Sequence, residues 1–273
     1  MPRNLPLNNK KNPVDLTDIQ LVIFAGGLGK RLGPGSPPKP LLSVCGTPLI
    51  DLQIEYSLKA GFRKFHIFTG YAADEVEKHI LETFPELEKH FVFVRHEWNP
   101  LTRPYGTGRA LYHAIKTQNI DKNKPVLTLF VDDLFARVDY VYDLVKTYYK
   151  SLGKGNTLAV VLTHPGVFLP YGVVSNRHGV FTEKPWLEYH VSTGMYLLTP
   201  LFLEKLMETI SLEMYMNFPE EISFEKFVLE PWSRKYHVIR TDVIKGEWLP
   251  VNDWKTAEQV CRFLEICDWI KLH

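Results

Sequence analysis

The sequence predicts an α/β fold, a mixed and mainly parallel sheet flanked by helices, with a β-rich second half. Three observations lead there. Short apolar runs alternate with segments of helical spacing through the first half of the 273 residues. The chemically unusual residues fall at the carboxyl ends of those runs, where open α/β sheets bind ligands. Beyond about residue 157 strand-like runs follow one another through short connections.

Taken in order, residues 1–18 are rich in Asn, Pro and Lys and are expected to form a loosely held, flexible extension. Ile19 to Ala25 is a short apolar run closed by glycines, as in a buried strand. Leu49 to Ala60 has helical spacing and stops at Gly61. Lys64 to Thr69 is a strand, Ala72 to Phe84 a helix, Phe91 to Arg95 a strand, Thr107 to Lys116 a helix, and Val126 to Val131 a strand. In the second half, Thr157 to Thr163, Tyr171 to Ser175, Gly179 to Thr182, Tyr189 to Leu198 and Tyr236 to Thr241 read as strands. Pro200 to Thr209 reads as a helix, and Trp254 to Lys271 as one amphipathic C-terminal helix. No repeat or long linker interrupts this order. Residues 19–273 are therefore expected to form one domain, with halves at about 19–156 and 157–273.

Bulk composition narrows the function by exclusion. With 32 basic and 31 acidic residues the net charge is +1, so nothing draws the whole chain to nucleic acid or to an anionic membrane. Any anion site must be local. The N-terminus lacks the apolar core of a secretory signal, and no run approaches a membrane span. A cytoplasmic protein is expected. Cys45, Cys261 and Cys267 are too few and scattered for a disulfide framework and are expected to be reduced thiols. The ten histidines show no metal-binding spacing.

The loop after the first strand, AGGLGKRLGPGSPPKPL at residues 25–41, holds five glycines, four prolines and the cations Lys30, Arg31 and Lys39. No acidic residue stands between Asp18 and Asp51. Glycines let backbone N–H groups approach an anion closely, and prolines reduce the order lost on binding. Spacing excludes two familiar cradles. A P-loop needs Ser or Thr after Gly-Lys, but Arg31 follows Lys30. A dinucleotide fingerprint would need glycine where Leu32 stands. The strand context sets this loop apart from an inert basic surface loop.

The same stretch resembles the signature A-G-G-x-G-x-R-L…P-K-P-L…G-x-P-L-I of sugar-1-phosphate nucleotidyltransferases, completed by Gly46, Pro48, Leu49 and Ile50. The resemblance extends over roughly residues 20–265. It implies an extended Rossmann-like nucleotidyltransferase fold. It also implies nucleotide contacts from Ala25, Gly26, Gly27, Leu28, Gly29, Arg31 and Lys39, with Arg31 and Lys39 as catalytic cations. PYGTGRAL at 104–111 resembles the family's second glycine motif and carries over Gly106 and Thr107 as base contacts, although alone it reads as a helix start capped by Thr107.

Asp132 and Asp133 end an apolar strand. From the residues alone they suit a metal site or an exposed turn equally. The family's aspartate at this point binds Mg²⁺, and Asp132 takes its position, with Val131 in place of the usual glycine. Asp133 is the alternative ligand. The second Mg²⁺ carboxylate is expected in GEWLPVNDWKTAEQV, where Pro250 occupies its usual place. Asp253 is preferred over Asn252 because an anion binds Mg²⁺ better than an amide. The competing role of Asp253 is to cap the last helix.

Three later motifs resemble the sugar side: Tyr171-Gly172-Val173-Val174, Glu183-Lys184-Pro185 and Ser192-Thr193-Gly194-Met195-Tyr196. They carry over Tyr171, Gly172, Glu183, Lys184 and Gly194 as contacts to a sugar phosphate. EISFEKFVLEPW at 221–232 resembles a segment of mannose- and heptose-directed relatives. The implied reaction converts a nucleoside triphosphate and a sugar 1-phosphate to an NDP-sugar and pyrophosphate, for activated-sugar biosynthesis. Its alternatives are a cytidylyltransferase for a non-sugar phosphate, such as phosphocholine or inositol phosphate, and a non-catalytic sensor of nucleotide or sugar phosphate. Without a hexapeptide-repeat tail, any homo-oligomer is expected to form through the domain itself.

Overall fold

The computed structural model describes residues 14–27, 29, 33, 35–95, 105–169, 171–174 and 179–270. Strands in chain order are β1 (Gln20–Phe24), β2 (Ser43–Val44), β3 (Thr47–Pro48), β4 (Phe65–Thr69), β5 (Phe91–Arg95), β6 (Val126–Phe130), β7 (Asp133–Phe135) and β8 (Thr157–His164). They continue as β9 (Val167–Phe168), β10 (Val173–Val174), β11 (Phe181–Thr182), β12 (Trp186–Leu187), β13 (Val191–Leu198), β14 (His237–Asp242) and β15 (Trp248–Pro250). The helices are α1 (Leu49–Ala60), α2 (Ala73–Thr83), α3 (Thr107–Lys116), α4 (Asp139–Ser151), α5 (Pro200–Thr209), α6 (Leu212–Asn217), α7 (Glu230–Trp232), α8 (Trp254–Ala257) and α9 (Val260–Leu264).

Among the described residues the main sheet has seven strands in the order β14-β8-β13-β6-β1-β4-β5. β1 runs parallel to β4 and β6, β4 to β5, and β14 to β8, while β13 runs antiparallel to both β6 and β8. The expected mixed, mainly parallel sheet is thus present, and strands from both halves of the chain share it. Alternate residues of β1 serve opposite faces. Leu21 and Ile23 join a core with α1 and α4, whereas Val22 and Phe24 join a core with α3 and α5. Burial on both faces is why this strand reads as a continuous apolar run.

The boundaries follow local chemistry. α1 ends where Gly61 takes a left-handed φ of 110°, and Gly61 N–H bonds back to the carbonyls of Ser57 and Leu58. Thr199 caps α5 by accepting from Phe202 N–H.

Four features depart from the sequence reading. Residues 1–13 lie outside the described residues, but 14–18 are held: Leu16 is buried and Asp18 pairs with Lys124 at 3.2 Å. Helix α4 was not anticipated. Its stripe of Tyr140, Val141, Leu144, Val145 and Tyr148 is buried, so packing overrides the strand preference of its Tyr and Val residues. The expected C-terminal helix is broken into α8 and α9 where Gln259 N–H bonds back to Thr256 O at 3.1 Å, and it ends at Leu264, beyond which Asp268 and Trp269 dock on the β7 end. Trp269 Nε1 donates to Phe135 O at 2.7 Å and Asp268 N to Ala136 O at 2.9 Å. Finally, Cys45 and Cys261 are joined as a disulfide, with Cα atoms 5.4 Å apart, and only Cys267 is a free thiol. The β2–β3 turn carries Cys45 onto α9 across 216 residues of sequence, a juxtaposition that spacing alone does not reveal. Among the described residues no helix is long and apolar enough to cross a membrane.

The start of α3 is seated on the 221–228 segment at close range. Gly106 has a φ of +82°, and a Cβ placed there would lie 2.5 Å from the carbonyl oxygen of Ile222. Gly106→Ala therefore combines a strained backbone with a backbone clash. The expected cost is roughly 1–3 kcal/mol, seen as a lowered midpoint in thermal unfolding. An unchanged midpoint would show that the segment yields.

Candidate active site

The loop after β1 is pinned at its root. Ala25 N–H donates to Phe68 O at 2.9 Å, Val131 N–H to Phe24 O at 3.2 Å, and Tyr71 N–H to Gly26 O at 3.5 Å. Ala25 is buried and Gly26 half-buried, while Gly27 is exposed with open space beside it. Gly29 adopts a φ of +62°. Leu28 and Arg31 lie outside the described residues.

The loop ends in a single turn of 3-10 helix, Lys39–Leu41, locked by Leu42 N–H on Lys39 O at 3.1 Å and Leu49 N–H on Leu42 O at 3.1 Å. This turn points Lys39 at the carboxyl end of β6, where Nζ forms a direct ion pair with Asp132 Oδ2. The pair is largely shielded, with side-chain exposures of 13% and 21%. The structure thus brings together the loop lysine and the first strand-end aspartate, residues 93 positions apart.

Asp133 is half-buried and has different partners. Its Oδ1 accepts from Trp248 Nε1 at 2.9 Å, and its carbonyl accepts from Gln53 Nε2 at 2.6 Å. Burial raises the Asp133 carboxyl well above the usual carboxylate range. The Asp132 charge pushes the same way, while Trp248 and Lys39 oppose it. Gly194 faces this carboxylate: a Cβ at that position would fall 2.4 Å from Asp133 Oδ2. Gly194 lies at φ +86° inside a register shift of β13 between Ser192 and Tyr196. An acceptor-side residue is therefore in contact with the carboxylate pair.

The 248–253 segment flanks the same point. Pro250 sits opposite Asp133 in the β15–β7 ladder, and Val251 N–H donates to Asp132 O at 2.7 Å. Asp253, two residues on, is exposed and caps α8. Its Oδ1 accepts from Thr256 N–H at 2.8 Å, and hydrogen bonds to Thr256 hold its carboxyl below the usual range. The capping role is present, and it holds the Asp253 carboxyl on Thr256.

At α3 the cap is Gly106, not Thr107. Thr107 Oγ1 instead donates to Glu225 Oε2 at 3.1 Å and accepts from Phe224 N–H at 3.1 Å. Ile222 O accepts from both Gly108 N–H and Arg109 N–H, at 2.8 and 3.1 Å. Glu225 is a site-adjacent carboxyl without an assigned role in the sequence reading. Burial raises its pKa.

The remaining acceptor-side residues gather on two small hairpins. β10 pairs with β11 and β12 with β9, both antiparallel. Tyr171 is exposed, and Gly172 abuts Phe181 and Glu183: a Cβ there would lie 3.1 Å from Glu183 Oε2. Lys184 Nζ stands 3.6 Å from Glu183 Oε1, both side chains open to solvent. Among the described residues no group of three or more His, Cys, Asp or Glu side chains converges as a metal cage. The adjacent carboxylates Asp132 and Asp133 still suit Mg²⁺, a hard ion that takes one or two carboxylates and completes its shell with water and substrate phosphates.

The profile of the nucleotidyl transferase family matches residues 20–259. The chain belongs to the nucleotidyl transferase family. Among curated proteins it is 30% identical over 200 residues to the mannose-1-phosphate guanylyltransferase catalytic subunit beta of Xenopus tropicalis, covering 69% of this chain and 52% of that one. It is 29% identical over 245 residues to mannose-1-phosphate guanyltransferase 2 of Candida glabrata, covering 86% and 61%. The chain thus spans little more than half the length of these relatives. Among solved structures, a UDP-glucose pyrophosphorylase complexed with UDP-glucose superposes with a TM-score of 0.60 at 20% identity, covering 89% of this chain and 97% of that one. HddC from Yersinia pseudotuberculosis does so at 0.58 and 21%, covering 89% and 98%. This family member therefore has the Rossmann-like fold implied by its motifs.

The buried carboxyl of Asp133 yields a signed pH prediction. Its native pKa lies above the unfolded value, so the native state holds the proton more tightly. The stability it contributes is complete below the ordinary carboxylate value of 3.8 and is lost as pH rises through the raised native value. Asp133→Asn keeps an oxygen for Trp248 and removes the buried charge. Without added metal, its melting temperature is expected to exceed that of the parent near pH 8, with the gap closing toward pH 4. A gap that is absent or widens on acidification would contradict this burial.

Proposed function

We propose that this protein transfers a nucleotidyl group from a nucleoside triphosphate to a sugar 1-phosphate, releasing pyrophosphate. The observation that carries the reading is the Lys39–Asp132 pair at the carboxyl end of β6, flanked by Asp133 and Gly194. A loop cation, two neighbouring carboxylates and the strand that carries Gly194 meet at one point, which supports reading Lys39 as a phosphate-binding cation and Asp132 as a metal-binding carboxylate.

The acceptor's phosphate oxygen attacks the α-phosphorus, and pyrophosphate leaves as the new P–O bond forms. The nucleophile is already an anion, so no strong general base is required. The barrier is the approach of two polyanions, which fixed cations lower by stabilising charge in the transition state. Lys39 and Arg31 bind the triphosphate, with the backbone of Ala25, Gly26, Gly27, Leu28 and Gly29 lying along it. Gly106 and Thr107 bound the base. Lys184 holds the acceptor phosphate, Glu183 and Tyr171 the sugar face, and Gly172 and Gly194 allow close approach. Asp132 would hold Mg²⁺, with Asp253 as the second carboxylate. When bound, the ion neutralises phosphate charge and polarises the reacting phosphoryl group. The protein acts in the cytoplasm on small molecules, without nucleic acid or membrane.

The similarity to mannose-1-phosphate guanylyltransferases makes GTP and mannose 1-phosphate the first pair to test. A matrix of nucleoside triphosphates against hexose, heptose and non-sugar phosphates, read by pyrophosphate release, is expected to show turnover with a sugar 1-phosphate. Binding without pyrophosphate in every pair would indicate a sensor instead. With the active pair, Lys39→Ala is expected to lower kcat by at least about 100-fold, the scale for losing one preorganised charge at a reacting centre. Its circular dichroism should match the parent, and near-normal turnover would remove Lys39 from the mechanism.

A further inference from the structure

The acceptor hairpins and the carboxylate pair are connected through three aromatic side chains, of which the middle one is His164. This residue ends β8 and is buried. Its Nδ1 lies 2.7 Å from Gly166 O, which fixes the ring plane. On one side the ring meets Trp248 at 5.6 Å between centroids, and on the other it meets Trp186 at 5.7 Å.

The two indoles report to different halves of the site. Trp248 Nε1 is the donor to Asp133 Oδ1, so its position is tied to the carboxylate pair. Trp186 directly follows Glu183-Lys184-Pro185 and begins β12. It is clamped on several sides. A Cβ on Gly166 would lie 2.3 Å from its ring, Phe168 crosses it edge-on at 6.0 Å, and Lys245 Nζ sits 4.0 Å above its centroid. Pro185 O also accepts from Leu169 N–H at 3.1 Å. By contrast, Glu183 and Lys184 are solvent-exposed, and their own ion pair is too open to fix their place. The distance from Lys184 to Asp132 is therefore set through the half-buried 185–187 stretch that follows, in which Trp186 makes the ring contacts.

On the reading given above, we propose that His164 is a positioning residue for the acceptor: its ring spaces Trp186 from Trp248 and so registers Lys184 against the carboxylates. The dependence is asymmetric. The triphosphate loop reaches Asp132 through Lys39, whereas this column reaches Asp133 through Trp248, so losing the ring should impair the acceptor and spare the nucleotide. In-line transfer is sensitive to displacements near 1 Å, which a missing ring can produce.

The test measures both Michaelis constants, kcat and melting temperature for the parent, His164→Ala, His164→Phe and Trp186→Leu with the active substrate pair. His164→Ala is expected to raise the KM for the acceptor by about tenfold or more, a modest share of what misplacement can cost, while the nucleoside triphosphate KM stays within about twofold. His164→Phe keeps the ring and should recover most of the loss. Trp186→Leu should reproduce the acceptor defect, and it carries the test if His164→Ala does not fold. An unchanged acceptor KM, or equal rises in both constants, overturns the proposal while leaving the activity in place. An inert parent protein overturns the activity itself, and the positioning role with it.

Discussion

Two neighbouring carboxylates at the end of a buried strand repel each other and lose hydration together, so they persist only where the surroundings compensate both. Here they are compensated by different means. Asp132 turns toward the glycine-rich loop and finds Lys39. Asp133 turns inward, takes an indole N–H from Trp248, and is held above the usual carboxylate range by burial. Lys39 stands in a loop with no acidic residue between Asp18 and Asp51, so it has no competing anion nearby in sequence. The ion pair therefore anchors the loop to β6. In the proposed reaction Asp132 would hold the metal ion and Lys39 a phosphate, and the pair keeps both side chains in place at the strand end.

Much of the second half of the chain is arranged around this strand end. β13 runs against the direction of its neighbours and shifts register between Ser192 and Tyr196, which brings Gly194 onto the Asp133 carboxylate. No side chain fits between them. β15 pairs with β7, and Val251 N–H takes the carbonyl of Asp132. Trp248, on the same strand, supplies the indole. The two halves of the chain are thus joined where charge is least tolerable, and β13 and β15 are coupled to the two carboxylates by direct packing.

What could be read from the residues follows from range. The strands β1, β4, β5 and β6 and the helices α1, α3 and α5 were legible because apolar spacing and punctuation by Gly or Pro are local signals. The loop lysine and the strand-end aspartates stood out because such charges are costly at the end of an apolar strand, and the structure pairs Lys39 with Asp132. Helix α4 was not, since Tyr140, Val141 and Tyr142 favour strands locally and only burial decides otherwise. The Cys45–Cys261 pairing, the break between α8 and α9, and the His164–Trp186–Trp248 column depend on contacts between distant segments. Asp253 marks the boundary between the two cases. Its cap was foreseeable as the competing role of an aspartate before the last helix, while the contact of its neighbour Val251 with Asp132 O depends on distant segments.

The other end of the nucleotide loop shows why so much rests on the β1 side. A helix N-terminus is ordinarily a site for phosphate, because its first N–H groups lack partners. At α3 those groups are already taken: Gly108 and Arg109 both donate to Ile222 O, and Thr107 is held by Glu225 and Phe224. Glu225 adds a buried carboxyl where a phosphate would need the opposite charge. The start of α3 is consequently shaped for an uncharged part of a ligand, with Gly106 keeping its backbone close. The anionic part can be served only by the loop and Lys39. For the proposed nucleoside triphosphate, this distribution of charge favours the base toward α3 and the phosphates toward β6, with the reacting end beside the strand that carries Gly194.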